Sequence, residues 1–170
     1  VLSCLNSISI YKLKHTILLF KVRKIRIQDL SSVLNLIIEL AEFEKEPDAV
    51  EITLEDFTKD FSNNLFDCLI AENQNGIIGI ALYYNRYSTW KGKTIHLEDL
   101  IVTQNERGNG VGKALLNEIV SLAKKSKVRR VEWNVLDWNK DAITFYEGVG
   151  ANILDNWLVV QLDENGIKNY

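Results

Sequence analysis

The sequence is poor in cysteine and histidine, which limits the kinds of site that it can build. Its 170 residues include two cysteines, Cys4 and Cys68, and two histidines, His15 and His96. The cysteines lie far apart and form no C-x-x-C pair, which argues against a disulfide framework and a zinc ribbon. Neither histidine has a Cys or a second His at ligand spacing. We therefore expect no metal cofactor, and the cysteine usage fits a reducing, cytoplasmic compartment.

Long basic runs and long apolar runs are also missing. The formal net charge is −3, and no basic stretch exceeds residues 127–130. This balance disfavours binding to nucleic acid and favours a cationic partner. Membrane-spanning helices need about 20 consecutive apolar residues, so no membrane span is predicted. Residues 1–20 are apolar but are interrupted by Lys12, Lys14 and His15, so we expect an N-terminal extension of uncertain status rather than a signal peptide.

The remainder, residues 21–170, is expected to form a single domain, because 46% of the chain is hydrophobic and can fill a core. Periodicity and turn residues predict the order strand, two helices, three strands, helix, strand, helix, strand. The predicted strands are 21–27, 67–72, 77–84, 94–102, 130–136 and 156–162, and the predicted helices are 29–41, 53–61, 110–125 and 139–146. This order favours an α/β or α+β domain with a largely antiparallel sheet.

The most informative segment is the glycine-rich loop 107–113, which joins a predicted strand to a predicted helix. Glycines there let backbone N–H groups approach a phosphate, and the helix N-terminus adds partial positive charge. A Walker A loop is excluded because Arg107 stands where its first glycine is required and Ala114 follows Lys113. A dinucleotide fingerprint starting at Gly108 would need a small residue in place of Lys113. A plain strand-to-helix turn remains an alternative.

Arg107, Gly110 and Gly112 have the spacing Arg-x-x-Gly-x-Gly at the start of a helix. This resembles the acyl-CoA loop of the GNAT acetyltransferase superfamily, and the likeness covers roughly residues 21–162. A narrower resemblance to the spermidine/spermine (diamine) and thialysine N-acetyltransferase branch is carried by residues 39–44, 83–99 and 132–146. It implies a mixed, mostly antiparallel sheet with helices on both faces, and a homodimer.

The resemblance also implies a set of residues that bind acetyl-CoA. The backbone of the strand end would lie beside the pantetheine arm, the loop N–H groups would hold the pyrophosphate, and an asparagine would touch the CoA from the other side. The residues are Leu100, Ile101, Val102, Arg107, Gly108, Asn109, Gly110, Val111, Gly112, Lys113 and Asn139.

Two adjacent acids, Glu98 and Asp99, interrupt an apolar strand. A buried carboxylate without a partner is costly, so at least one should face a cleft or a cation. The alternative is an internal ion pair with Arg or Lys. By resemblance, Glu98 would be the catalytic base, acting directly or through water, and Asp99 would bind the cationic substrate.

Three further residues complete the predicted site. Tyr146 would be the general acid by resemblance, although core packing is the commoner role of such an aromatic residue. Glu44, at the end of an apolar helix stripe, could hold a distal ammonium group or be a solvated helix end. Trp90 could form an apolar or cation–π wall for a polyamine, or pack a loop.

Together these patterns predict an acetyl-CoA-dependent N-acetyltransferase that acts on a primary amine of a small polycation, namely a diamine, a polyamine or thialysine. One alternative keeps the fold but changes the acceptor to an amino acid, an antibiotic or a peptide. The other is a non-catalytic acyl-CoA-binding module, which would have no chemical use for Glu98 or Tyr146.

Overall fold

The computed structural model describes the backbone of residues 9–11 and the whole of residues 20–170. It divides into two compact units, one ending at Trp133 and the other running from Asn134 to Tyr170. No helix in these described ranges is long and apolar enough to cross a membrane. Most of the predicted extension 1–20 lies outside the described residues, and the single domain expected over 21–170 stays a prediction.

The first unit is built on a sheet of six described strands. They are β1 (Ser9–Tyr11), β2 (Phe20–Lys24), β3 (Asp67–Asn73), β4 (Gly76–Ser88), β5 (Gly92–Val102) and β6 (Val131–Glu132), and they lie in that order. Neighbours from β1 to β5 are antiparallel, and β6 is parallel to β5. The mixed, mostly antiparallel sheet is therefore confirmed. The prediction of a strand over 130–136 is wrong in length, because only two of its residues pair with β5.

Three α-helices accompany this sheet, and their positions agree with the apolar patterns. They are α1 (Leu30–Phe43), α2 (Leu54–Ser62) and α3 (Val111–Lys125), with short 3₁₀ segments at Ile27–Asp29 and Gln104–Glu106. Thr53 begins α2 with a capping box, since its hydroxyl accepts a hydrogen bond from the Asp56 N–H at 3.1 Å. Buried residues of α1, including Leu30, Val33 and Leu36, belong to one core cluster with α2, β3 and β4.

The helices cover both faces of the sheet, as expected. Ile80 of β4 belongs to the core cluster that contains α1 and α2. A Cβ atom built on the neighbouring Gly79 would lie 3.3 Å from Leu115 of α3. Because successive strand residues point to opposite faces, α3 lies on the face opposite α1 and α2.

A β-bulge in β5 sets the direction of the predicted acidic residues. Leu82 of β4 pairs with Asp99, but the next residue, Tyr83, pairs with Leu97. Glu98 is therefore the extra residue of the bulge, where normal alternation of side chains is interrupted. A bulge lets two neighbouring acids avoid opposite faces of the sheet.

The second unit contains α4 (Lys140–Gly148) and α5 (Glu164–Lys168). The helix predicted over 139–146 is confirmed as α4, and the Asn139 side chain caps it by accepting a hydrogen bond from the Ala142 N–H at 3.2 Å. The strand predicted over 156–162 is wrong, since the structure gives these described residues no strand pairing. Their large apolar side chains are exposed, with Val160 at 91%. Apolar and β-branched residues favour a strand, but only a hydrogen-bonded neighbour makes one.

Candidate active site

Asp99 is the most perturbed acid of the first unit. Burial, the nearby Glu98 and then Glu44 together raise the pKa of Asp99 to about 7. No Lys or Arg among the described residues forms an ion pair with Asp99. The internal ion pair considered from the sequence is therefore not found in the part of the chain that the structure describes. Burial and the neighbouring acids favour the protonated form of Asp99, and a bound cation would favour the carboxylate instead.

Glu44 is the first residue after α1, and we group its side chain with Glu98 and Asp99 as the acidic cluster. Its backbone N–H donates to the Leu40 carbonyl at 2.9 Å, which keeps the helix end in place. Partial burial raises the pKa of Glu44. Its charge makes the smallest of the three contributions to the raised pKa of Asp99, after burial and Glu98.

Glu98 differs from Asp99 in exposure and in partners. Its side chain is 50% exposed, and its Oε2 atom lies 3.4 Å from Nε2 of the buried His96. A hydrogen bond with Glu98 also contributes to a raised pKa of Tyr84, after burial and the carboxylate charge. The predicted base is thus accessible, and two protein side chains flank it.

Trp90 does not lie near this acidic cluster. It lies in the turn between β4 and β5, and it is 78% exposed. Gly92, where β5 begins after that turn, is about 20 Å along the strand from Glu98. A role of Trp90 in the substrate wall stays a prediction, and the observed position agrees better with the turn of a hairpin.

The glycine-rich loop leads into the N-terminus of α3. Gly108 and Gly110 have φ angles of 76° and 79°, a left-handed conformation that strongly favours glycine. No side chain caps α3, whose first bond in this region joins the Ala114 N–H to the Gly110 carbonyl at 3.0 Å. The first N–H groups of an α-helix have no partner within the helix, so those of residues 111–113 can bind an anion.

Side chains of α1 contact the glycine-rich loop and the 3₁₀ segment before it. The Arg107 guanidinium lies over the Phe43 ring, 4.8 Å from its centroid, and its Nε–H donates to the Val102 carbonyl at 2.9 Å. The Gln104 N–H donates to Glu39 Oε1 of α1 at 3.0 Å. Arg107 therefore shapes the loop, and its direct contact with a cofactor stays a prediction. Lys113, on the first turn of α3, is exposed.

One edge of β5 is open beside this loop. β4 pairs with β5 over its whole length, whereas β6 pairs with it only at Ile95 and His96. Among the described strands, none pairs with the outer edge of β5 from Leu97 to Val102. Backbone N–H and C=O groups on such an edge can bind an extended, amide-containing chain. Leu100 and Val102 are half-buried here, and Ile101 is buried in the core.

The remaining predicted residues, Tyr146 and Asn139, belong to the second unit. Tyr146 is the one buried residue of α4, 7% exposed, and its ring centroid lies 5.3 Å from that of Phe145. The Oδ1 atom of Asn139 is used in capping α4. The burial of Tyr146 agrees with a packing role, and its catalytic role stays a prediction.

A cavity of about 500 Å³ in the first unit has Tyr84, a neighbour of Glu98, in its lining. It is lined in part by Lys24, Asp67 and Tyr83, and by none of the predicted site residues. The Tyr83 hydroxyl donates to Asp67 Oδ2 at 3.1 Å, and Lys24 forms an ion pair with the same carboxylate. These three residues partner one another and none of the predicted site residues lines the cavity, so it is not assigned to the site. Among the described residues, no group of three or more His, Cys, Asp or Glu side chains could hold a metal ion.

An open strand edge that leads through a glycine loop into an uncapped helix, within a mixed α/β sheet, defines the class as an acyl-CoA N-acyltransferase fold. The profile of the Acetyltransferase (GNAT) family matches residues 30–151. The chain belongs to this family and is an N-acetyltransferase.

Similar proteins agree with this assignment. Thialysine N-epsilon-acetyltransferase of Mus musculus is 34% identical over 161 residues, which cover 87% of this chain and 95% of that protein. Spermidine/spermine N(1)-acetyltransferase-like protein 1 of Homo sapiens is 36% identical over 141 residues, 78% of this chain and 20% of that protein. Among solved structures, an integron cassette protein of V. cholerae superposes with a TM-score of 0.72 at 19% identity, covering 88% and 96% of the two chains. That structural likeness concerns the fold alone.

Sequence reasoning missed two residues of the first unit, His96 and Tyr84. Both flank Glu98, and His96 was considered only as a metal ligand. The available signal was a polar residue at a position between two apolar ones, Ile95 and Leu97. A second signal was the i, i+2 spacing of His96 and Glu98, because residues two apart on a strand share one face.

Proposed function

We propose that this N-acetyltransferase transfers the acetyl group of acetyl-CoA to a primary amine of a small polycation, such as a diamine, a polyamine or thialysine. The observation that carries the proposal is the raised pKa of Asp99, which lies among Glu98 and Glu44 without a cationic partner in the described residues. A substrate with two or more ammonium groups supplies the missing positive charge. The names of the relatives support the same class of acceptor.

In this proposal one acidic residue removes a proton from the acceptor amine, and the other two bind its distal ammonium group. Free primary amines have a pKa of about 10, so the attacking nitrogen must lose a proton. Glu98 accepts this proton, directly or through water, because it is the accessible acid of the cluster. Asp99 and Glu44 hold a distal ammonium group. Tyr146 donates a proton to the departing thiolate.

Acetyl-CoA is the co-substrate, and the chain's own groups fit it at two places. The open edge of β5 at Leu100, Ile101 and Val102 would pair with the amide-containing pantetheine arm. The backbone N–H groups of the loop 108–113 would hold the pyrophosphate, favoured by the uncapped N-terminus of α3. Asn139 would contact the CoA through its side-chain amide. No metal takes part in the proposed reaction.

We further propose that the protein is a cytoplasmic homodimer. Exposed apolar side chains in the second unit support a dimer, among them Trp157, Leu158 and Val160, which are 68%, 87% and 91% exposed. The separate cysteines, of which Cys68 is a buried free thiol, suit a reducing compartment. Light scattering at several protein concentrations would test the dimer, and a monomer at all of them would contradict it.

The function is tested by thiol release from acetyl-CoA with a panel of acceptors. The panel contains spermidine, spermine, putrescine, thialysine, lysine and an aminoglycoside, at near-neutral and alkaline pH. Turnover on the polyamines or thialysine, above that on lysine, is the expected result. Strong turnover on the aminoglycoside alone would favour the alternative acceptors, and acetyl-CoA binding without turnover on any amine would favour a binding module.

A further inference from the structure

His96 is a buried polar residue whose side chain lies beside Glu98, the proposed base. It is 7% exposed and lies between the buried residues Ile95 and Leu97 of β5. A buried imidazole is costly unless its nitrogens have partners. The Nε2 atom lies 3.4 Å from Glu98 Oε2, while Nδ1 is buried and has no hydrogen-bond partner among the described residues. Within the part of the chain that the structure describes, the polar contact of this side chain is therefore with Glu98.

Neighbouring strands hold the imidazole ring in this orientation. Tyr84 of β4 pairs with His96 in register, and their ring centroids are 5.1 Å apart with an angle of 33° between the rings. Glu132 of β6 pairs with His96 on the other side. The Glu132 carboxylate is already engaged by Arg86 at 3.1 Å and Arg130 at 2.9 Å. Although the buried Glu132 Oε1 makes no hydrogen bond within the described part of the chain, the acid that lies beside the Nε2 atom of His96 is Glu98.

Glu98 needs such a partner because of its own position. It is the extra residue of the bulge between Leu97 and Asp99, and its side chain is half exposed. A carboxylate at such a place can adopt several rotamers, whereas a general base must lie within hydrogen-bond reach of the proton that it removes. Hydrogen bonds of catalytic groups are often long without substrate and shorten when it binds.

We propose that His96 is a positioning residue for acetyl transfer, which donates its Nε2–H to Glu98 and holds that carboxylate toward the acceptor amine. This inference rests on the proposed role of Glu98 as the base. Both the neutral Nε2–H tautomer and the imidazolium can make this donation. The Tyr84 hydroxyl assists from the opposite strand.

The test is a double-mutant cycle on the full chain, with kcat and both KM values measured in the acceptor assay. Glu98→Gln is expected to lower kcat about 100-fold, the usual size of a general-base effect. His96→Leu should lower kcat about 10-fold and leave the KM for acetyl-CoA unchanged. His96→Gln, which keeps a side-chain N–H donor, should recover most of that loss. In the Glu98→Gln background, His96→Leu should cause no further loss, because the residue acts through Glu98.

Thr94→Val is the matched control, since Thr94 is buried on the same strand and donates to the Arg86 carbonyl at 3.1 Å. It should leave kcat within about twofold of the wild type, which separates loss of positioning from general damage to β5. If Glu98→Gln is impaired but His96→Leu is fully active, or if the two losses multiply, His96 does not act through Glu98 and the inference is overturned. Equal losses in His96→Gln and His96→Leu would also overturn it, whether or not the leucine variant folds poorly. Full activity of Glu98→Gln would show that Glu98 is not the base, and the proposed role of His96 would fail with it. Wild-type turnover on polyamines would still support the proposed function.

Discussion

The two sides of the candidate site in the first unit are built from different chemical groups. In the proposed function the acceptor side consists of the acidic side chains Glu44, Glu98 and Asp99, and burial, followed by the charges of Glu98 and Glu44, raises the pKa of Asp99. The cofactor side consists of backbone groups at the open edge of β5 and at the N-terminus of α3. One side therefore depends on side-chain charge, and the other depends on backbone conformation.

This difference teaches which changes each side can tolerate. Neutralising an acid should weaken binding of the amine and leave acetyl-CoA binding intact, because no cofactor group needs that charge. Forcing a glycine out of its left-handed conformation should do the reverse. The link between the sides is α1, which carries Glu44 at its end and contacts the loop through Phe43 and Arg107.

The largest effect is expected from Tyr146→Phe, because Tyr146 is the proposed general acid and belongs to neither the acceptor side nor the cofactor side. Removing the hydroxyl should lower kcat about 100-fold through loss of the general acid. Both KM values should stay within about twofold, since neither charge recognition nor the loop backbone changes. Steady-state kinetics with acetyl-CoA and the best polyamine measure this. Wild-type kcat in the variant would show that Tyr146 serves packing alone.

Asp99→Asn should weaken binding of the amine acceptor without affecting binding of acetyl-CoA. Loss of one partner of a buried charge pair costs at least 2 kcal/mol in many complexes, so the KM for a diamine should rise about 30-fold. The KM for acetyl-CoA should not change. Asp48→Asn, at an exposed acid outside the cluster, is the control with the same change of net charge. A rise in the KM of both substrates would contradict the division of the site.

Gly110→Ala should break the cofactor side selectively. The left-handed conformation costs an alanine about 1 kcal/mol, and displacement of the loop should raise the KM for acetyl-CoA about 10-fold. Gly92→Ala is a close control, because Gly92 has a φ of 76° against 79° for Gly110 but lies in the β4–β5 turn. The two variants should lose similar thermal stability. Equal effects on acetyl-CoA binding would mean that the loop has no special part in it.

The smallest effect is a pH dependence of stability that originates at Asp99. Its pKa is raised from 3.8 to about 7, so the folded protein keeps a proton between these values that the unfolded chain has lost. Folding stability should therefore fall as the pH rises through this window and level off above about 7. Thermal melts between pH 5 and pH 8 should show a Tm decrease of about 5 °C that is absent in Asp99→Asn. Parallel curves for the two proteins would contradict the assignment.

The sequence predicted most of the first unit, because apolar periodicity is a strong signal where an element is covered on one side. The stripe of α1 from Leu30 to Ala41 and the turn between β3 and β4 are examples. The glycine loop was equally readable, since its conformation requires glycine at particular positions such as Gly108 and Gly110.

Other features depend on contacts that no local pattern records. The residues 156–162 have the composition of a strand but no pairing partner among the described residues. The bulge at Glu98 shifts the register by one residue, and only the pairing of Leu82 and Tyr83 reveals it. His96 differs from these cases, because residues two apart on a strand share a face and its contact with Glu98 agrees with ordinary alternation.

The most direct test of the account compares two acceptors that differ by one charge. The values of kcat/KM for 1,4-diaminobutane and for butylamine should be measured with the wild type and with Asp99→Asn. Recognition of a second ammonium group by the acidic cluster predicts a preference for the diamine of about 30-fold in the wild type, reduced to near unity in the variant. Equal values for both amines in the wild type, or a preference that Asp99→Asn leaves intact, would contradict it.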